Sequence, residues 1–228
     1  MSVLDNVIIK KSKRARYISI KIKHDGSLAM TVPYFTSTIL AKRFLQSKSD
    51  WINQQLLKIK REQHIFTDKQ AIGKTHQLNF VSHDGPYKTT VRNNVVLVSI
   101  PHGATTLDPN SQKHARTAVF RALKKEAKVY LTKRLDTHAQ LNGFSYNELR
   151  FKNTATRWGS CSSAKNINLN IQLMRLPYHL IDYVILHELC HLKHQNHSKT
   201  FWLYLETLLP GARNYKKELK DYSILYRD

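Results

Sequence analysis

The sequence predicts an α+β protein in two parts: a basic, β-rich N-terminal domain over 1–105 with helices near 37–63, and a helix-dominated C-terminal domain over 106–228. Three observations predict it. Short apolar alternations separated by turn dipeptides fill much of the first hundred residues. One unbroken helical periodicity follows Pro109. Near the C-terminal end, His187-Glu188-Leu189-Cys190-His191 sets two imidazoles and a carboxylate inside an apolar helical run.

Ile18, Ile20 and Ile22 alternate with Ser19, Lys21 and Lys23, and Asp25-Gly26 supplies a hairpin turn into a strand at 28–32, ended by Pro33. From Ser37 to Gln63 the residues Leu40, Phe44, Trp51, Ile52, Leu56 and Ile59 recur at helical spacing, as two helices broken near Ser47–Asp50. Strands near 76–83, 87–92 and 95–100 follow, separated by Gly85-Pro86 and Asn93-Asn94. The domain boundary is placed near 105. Asp108 is expected to cap a long helix with Pro109 at its first position, carrying Val119, Leu123, Tyr130, Leu131 and Leu135 inward and stopping at Asn142-Gly143. Short strands and loops fill 149–171. In the last of them Ile167, Leu169 and Ile171 share one face and Asn166, Asn168 and Asn170 the other, and an exposed edge there would accept an extended peptide. Ser198 caps a further helix with Phe201, Trp202, Leu205 and Leu208 as its stripe, ended by Pro210-Gly211.

Charge is the second strong signal, at a formal +21 over 228 residues. Lysine and arginine number 17 against 6 acids through residue 105 and 20 against 10 afterwards, so the excess is not a tail. Such a field favours polyanions, including nucleic acid, nucleotides or acidic proteins; a solvated basic surface with no dedicated ligand is the plain alternative. The start Met1-Ser2-Val3-Leu4-Asp5-Asn6 lacks the basic-then-apolar plan of a secretory signal, and no apolar run approaches a membrane span, so a cytoplasmic protein without membrane contact is expected. Two cysteines, Cys161 and Cys190, do not make a disulfide framework. Nothing in the sequence fixes an oligomeric state.

On a helix, residues four apart share a face, so His187 and His191 can close on one ion. Neutral imidazoles suit Zn²⁺, one per chain, and a catalytic site needs one further protein ligand and an open position. Glu188 sits one residue round the helix, placed to take a proton from water without ligating. This is the zinc-hydrolase pattern His-Glu-x-x-His. Ni²⁺, Co²⁺, Mn²⁺ or Mg²⁺ are possible substitutes. His194 would sit about 10 Å along a straight helix from His187, too far for one ion to span. His197, ten residues after His187, is the expected third ligand if the chain turns back after the helix, with Asn196 as the turn residue. Glu206 is the runner-up and Glu218 stands behind it. Arg157, Asn168, Asn170 and His194 are the candidate substrate contacts; tying its own loop to the sheet is an equal role for Arg157.

Thr156-Arg157-Trp158-Gly159-Ser160-Cys161, Asn168-Leu169-Asn170, Ile181-Asp182-Tyr183, His187 through His191, His197-Ser198 and Phe201-Trp202 together closely resemble the YgjP-like family of metal-dependent hydrolases. The match is densest over 150–210. Its wider relatives include WLM and SprT-like zinc proteases, which act on DNA-bound proteins. The resemblance implies a zincin fold for the C-terminal domain, with His187, His191 and His197 as ligands and Glu188 as the catalytic carboxylate.

Three functions follow as expectations. The first is a zinc metallopeptidase acting on polypeptide. The second, an activity also attributed to that family, is metal-dependent pyrophosphate release from a nucleoside triphosphate, UTP, although no glycine-rich phosphate loop is present. The third is a nucleic-acid-associated binding module whose zinc is structural, which four closed protein ligands would betray.

Overall fold

The structure is a computed structural model that describes residues 7–22, 27–62 and 64–225, with the side chains of 57–62 left aside. The Asp25-Gly26 turn, Ile59 as a side chain and the first six residues therefore lie outside the described residues. The chain forms two compact units, Met1–His64 and Ile65–Arg227.

In the first unit β1 (Ile8–Ser12), β2 (Ser19–Ile22) and β3 (Leu28–Pro33) make a sheet of order β1-β3-β2, β1 parallel and β2 antiparallel to the central strand. Leu28, Met30 and Val32 alternate onto the buried face and join Ala41, Leu45 and Ile52 in one apolar cluster. Those last three come from α1 (Thr38–Ser47) and α2 (Ser49–Glu62), which break where the sequence breaks. Ser37 caps α1 by accepting from the Leu40 amide. Of the residues read at helical spacing, Ile52 is buried and Phe44 and Leu56 pack against the cluster, while Leu40 and Trp51 are exposed.

The second unit begins with β4 (Gln70–Ile72), β5 (His76–His83), β6 (Lys88–Arg92) and β7 (Val95–Pro101) in the order β4-β5-β7-β6. Only the β5–β7 pair is parallel. Asn93 and Asn94 both take positive φ, 49° and 60°, which closes the tight β6–β7 hairpin. Leu78, Val96, Val98 and Ile100 share one core cluster with Val119, Leu123, Ala127, Leu131 and Leu135 of α3 (Pro109–Leu141). The division at 64/65 thus differs from the one expected near 105: this sheet belongs with the helix that covers it. Pro109 occupies the first turn of α3, but the Asp108 carboxylate makes no cap bond. It turns back instead to accept from the Thr105 amide and hydroxyl. Gly143 follows the end of α3 with φ 64°, a conformation that costs glycine nothing.

β8 (Glu148–Lys152), β9 (Gly159–Cys161) and β10 (Asn166–Asn170) form a third sheet of order β8-β10-β9. β10 pairs on both sides, parallel with β8 and antiparallel with β9, so the edge expected along 166–171 is the centre of the sheet. The short β9 is an edge instead. A single 3-10 turn (Ile171–Arg175) leads into α4 (Tyr178–Cys190), followed by α5 (Lys199–Leu208) and α6 (Ala212–Glu218). Nine of the thirteen residues of α4 are buried, so the metal-motif helix runs through the core. No helix among the described residues is long and apolar enough to cross a membrane.

Candidate metal centre

α4 ends at Cys190 and His191 is its C-cap. From there the chain turns through right-handed steps, with the Leu192 amide bonded to Leu189 O and the Lys193 and His194 amides to Cys190 O. Asn196 has no positive φ, so the expected left-handed turn at that residue is not how the chain comes back. Ser198 then caps α5 by accepting from the Phe201 amide. That reversal brings His197 onto the helix: ligand-competent atoms of His187, His191 and His197 all lie within 4.8 Å of one another, and the two Nε2 atoms of His187 and His197 are 2.9 Å apart.

Two residues of α5 fix the rings. Phe201, fully buried, stacks on His191 with centroids 4.7 Å apart, and Trp202 faces His197 at 6.2 Å with the ring planes 29° apart. His191 Nδ1 stands 3.0 Å from the carbonyl oxygen of His194. A carbonyl only accepts, so Nδ1 carries the hydrogen and Nε2 is left with a free lone pair, the tautomer a metal requires. The part played by residue 194 is thus carried by its backbone; its ring sits against Tyr204. The sequence carries no signal for that, since a main-chain acceptor has no residue signature.

Glu188 packs against β9. An ideal Cβ at Gly159 would lie 2.6 Å from its Oε1, so only a glycine leaves room for the carboxylate. Burial pushes the Glu188 carboxyl up to about 8, and Arg157 opposes that shift. Burial, followed by the charges of His191, His197 and Lys216, pushes His187 down to about 3 and keeps it neutral. His187 Nδ1 and Glu188 Oε2 are both buried without a hydrogen-bond partner. Orphans of this kind cost about 1–3 kcal/mol each and persist where function uses them.

Among the remaining candidates, Arg157 and Asn168 line a cavity of about 430 Å³ bounded by Gly159 and Ser160. Asn168 donates to the Ser160 hydroxyl. Asn170 also borders the cavity, yet its side chain is committed elsewhere: it is 1 % exposed, donates to Thr154 O and Arg157 O, and accepts from the Gln172 amide. It clamps the 154–158 loop. The rival ligands are occupied as well. Glu206 accepts from the Gly211 and Arg213 amides and so ties α5 to α6, and Glu218 lies 2.7 Å from His179 Nε2. Cys161 and Cys190 are free thiols that burial pushes up to about 11 and about 12. Neither joins the imidazole cluster.

The donor set fits a divalent cation: three imidazoles converge, one has its tautomer fixed, and no fourth protein group closes the point among the described residues. An α+β fold that folds a third imidazole back onto a His-Glu-x-x-His helix, beside a buried carboxylate, is that of a metal-dependent hydrolase. Within that class the chain belongs to the YgjP-like family, whose profile, described as "YgjP-like, metallopeptidase domain", matches residues 16–222. Family membership implies a divalent metal. Among solved structures the chain is similar to the metallopeptidase zymogen abylysin of Pyrococcus abyssi, at 21% identity over 42% of this chain and 98% of that one with TM-score 0.37. It is also similar to the zymogen jannalysin of Methanocaldococcus jannaschii, at 25% identity over 40% and 91% with TM-score 0.34. No curated protein matches.

Proposed function

We propose that the chain is a zinc-dependent peptidase with Glu188 as its catalytic carboxylate and His187, His191 and His197 as the ligands of the ion. One observation carries the reading: three imidazoles converge beside a buried carboxylate whose Oε2 has no partner. The chemistry the ion supplies is Lewis acidity, activation of a water near neutral pH and polarisation of a scissile carbonyl. Glu188 accepts the proton of the attacking water at Oε2 and returns it to the departing amine. Gly159 leaves the room that the other carboxylate oxygen occupies, and Arg157 biases the group towards its ionised form. Phe201 and Trp202 hold the rings and keep that side of the site dry. The edge strand β9 offers an extended polypeptide a backbone to pair with, alongside the cavity at Arg157 and Asn168.

The test is Glu188→Gln, measured for metal content and for cleavage of an unfolded polypeptide. The expected result is unchanged metal and a fall in turnover of about 10²–10⁴-fold, with chelator abolishing wild-type cleavage. Wild-type turnover by the variant overturns the role of Glu188. Pyrophosphate release from UTP without any peptide cleavage overturns the peptidase reading.

A further inference from the structure

A second cavity in the same unit, about 510 Å³, shares no lining residue with the metal centre and its adjoining cleft. It lies among the β4–β5 turn, the β6–β7 hairpin, the middle of α3 and the start of α4. Lys74, Arg92, Lys125 and Lys133 all line it, and Glu126 is the one carboxylate among its lining residues. That carboxylate is already committed. Its Oε1 accepts from the Thr75 amide and hydroxyl and from the His76 amide and lies 2.7 Å from His76 Nδ1, and its Oε2 accepts from the Lys74 amide. Glu126 therefore anchors the 74–76 backbone, and its single charge, which also acts on Lys74, is outnumbered four to one by the cations of the lining. Lys74 donates to Leu176 O and Lys125 to Val91 O, so both ammoniums are tethered to carbonyls of the wall. Arg92 and Lys133 are exposed and have no side-chain partner among the described residues.

The rest of the lining is apolar or aromatic. Tyr130 and Tyr178 pack with ring centroids 5.4 Å apart, Lys74 Nζ lies 4.3 Å from the Tyr178 centroid, and Met174 adds a buried wall. Two of the large apolar side chains that the fold leaves in solvent, Val129 at 76 % and Tyr178 at 54 %, border this one cavity. Four cations against one carboxylate leave the concave surface with a net positive charge that a bound anion would offset, and the volume falls in the range of small-molecule sites.

We propose that this cavity binds a small organic anion, a phosphate or carboxylate carried on a flat apolar ring. Arg92 and Lys133 take the anionic group, with the tethered Lys74 and Lys125 behind them, and Tyr130, Tyr178 and Val129 cover the ring. The proposal is independent of the hydrolase reading, because the ligand meets none of the residues assigned to it.

The test is calorimetric titration of the full chain, untreated and chelator-treated, with AMP as the phosphate arm, benzoate as the carboxylate arm and inorganic phosphate as the headgroup alone. The same titrations are made on R92A/K133A, whose two substituted side chains are exposed. The expected result is saturable binding of AMP or benzoate, equal before and after chelation, tighter than inorganic phosphate, and weakened about tenfold or more in the double variant, whose peptide cleavage stays at the wild-type rate. The arm that binds more tightly identifies the anionic group. Binding of neither ring compound up to about 1 mM, binding unchanged in R92A/K133A, binding abolished by chelation, or inorganic phosphate bound as tightly as both would each overturn the proposal.

Discussion

Gly159 and Glu188 pack so closely that a Cβ on residue 159 would fall 2.6 Å from Oε1, 2.8 Å from Cγ and 2.9 Å from Cδ of the glutamate. Three separations under 3 Å cannot be absorbed by rotating one oxygen away, because Glu188 is itself buried on a helix that runs through the core. Gly159→Ala is therefore expected to displace the carboxylate by the better part of an ångström while leaving the three imidazoles, none of which is among the atoms that Cβ meets most closely, in place. A shift of that size costs about 10²-fold in rate. Kinetics with a peptide substrate and elemental analysis of the same sample check it: turnover should fall and metal content should not. Equal turnover would remove Gly159 from the positioning of Glu188.

The choice of third ligand gives a second prediction. His197→Ala removes one of three converging donors and should lower metal content after dialysis, whereas Glu206→Gln should not, since both Glu206 oxygens already accept amide hydrogens at the α5–α6 turn. The glutamine keeps one acceptor and loses the other, at about 1 kcal/mol, or roughly 2–4 °C in melting temperature for a domain of this size. Metal lost from Glu206→Gln and kept by His197→Ala would reverse the assignment.

Asn170 separates a structural role from a substrate-binding one. Its buried amide donates two bonds that hold the 154–158 loop, on which Arg157 and Trp158 stand, and accepts a third from the Gln172 amide. Asn170→Ala strands two carbonyls and one amide, and a stability loss of about 2–4 kcal/mol in urea unfolding is the expected outcome. If the variant keeps wild-type stability and only its KM rises, the side chain meets substrate after all.

How much of this was legible in the sequence depends on whether the information was local. α3 shows itself because Val119, Leu123, Leu131 and Leu135 repeat along one face between Pro109 and Asn142-Gly143. His187 and His191 are fixed by the helical repeat alone. The unit boundary was not legible, since the alternation of Val96, Val98 and Ile100 says that a strand has a buried face but not which helix covers it. The edge strand was misplaced for the same reason. The Asn166–Asn170 alternation marks a half-buried strand, but only pairing with Glu148–Lys152 on one side and Gly159–Cys161 on the other makes it central. The Gly159 approach and the His194 carbonyl could not be read at all. One depends on the absence of an atom and the other on a backbone group.

Acid sensitivity follows from Glu126. Burial alone would push its carboxyl up, but His76, the Lys74 and Thr75 amides and the Thr75 hydroxyl together hold it below the ordinary value of 4.5. A carboxylate whose folded pKa is depressed binds fewer protons in the native state than in the unfolded one. Its stabilisation is therefore complete above about pH 4.5 and is lost as pH falls through the folded pKa. Asp182, held low by Arg134 and His138 against its own burial, acts in the same direction from 3.8 downwards. Glu126→Gln should be less stable than wild type by about 1–3 kcal/mol at pH 7, because a neutral amide cannot accept from all the groups that converge on the two oxygens. The gap should close as the pH is lowered, since protonation of wild-type Glu126 removes what the substitution has already removed. Urea unfolding midpoints of both proteins at pH 7 and at pH 3, each freed of metal by chelator, measure this. A gap that stays constant over that range would mean that Glu126 is ionised no more readily in the fold than in the unfolded chain, and that the acid sensitivity of the protein comes from other carboxylates.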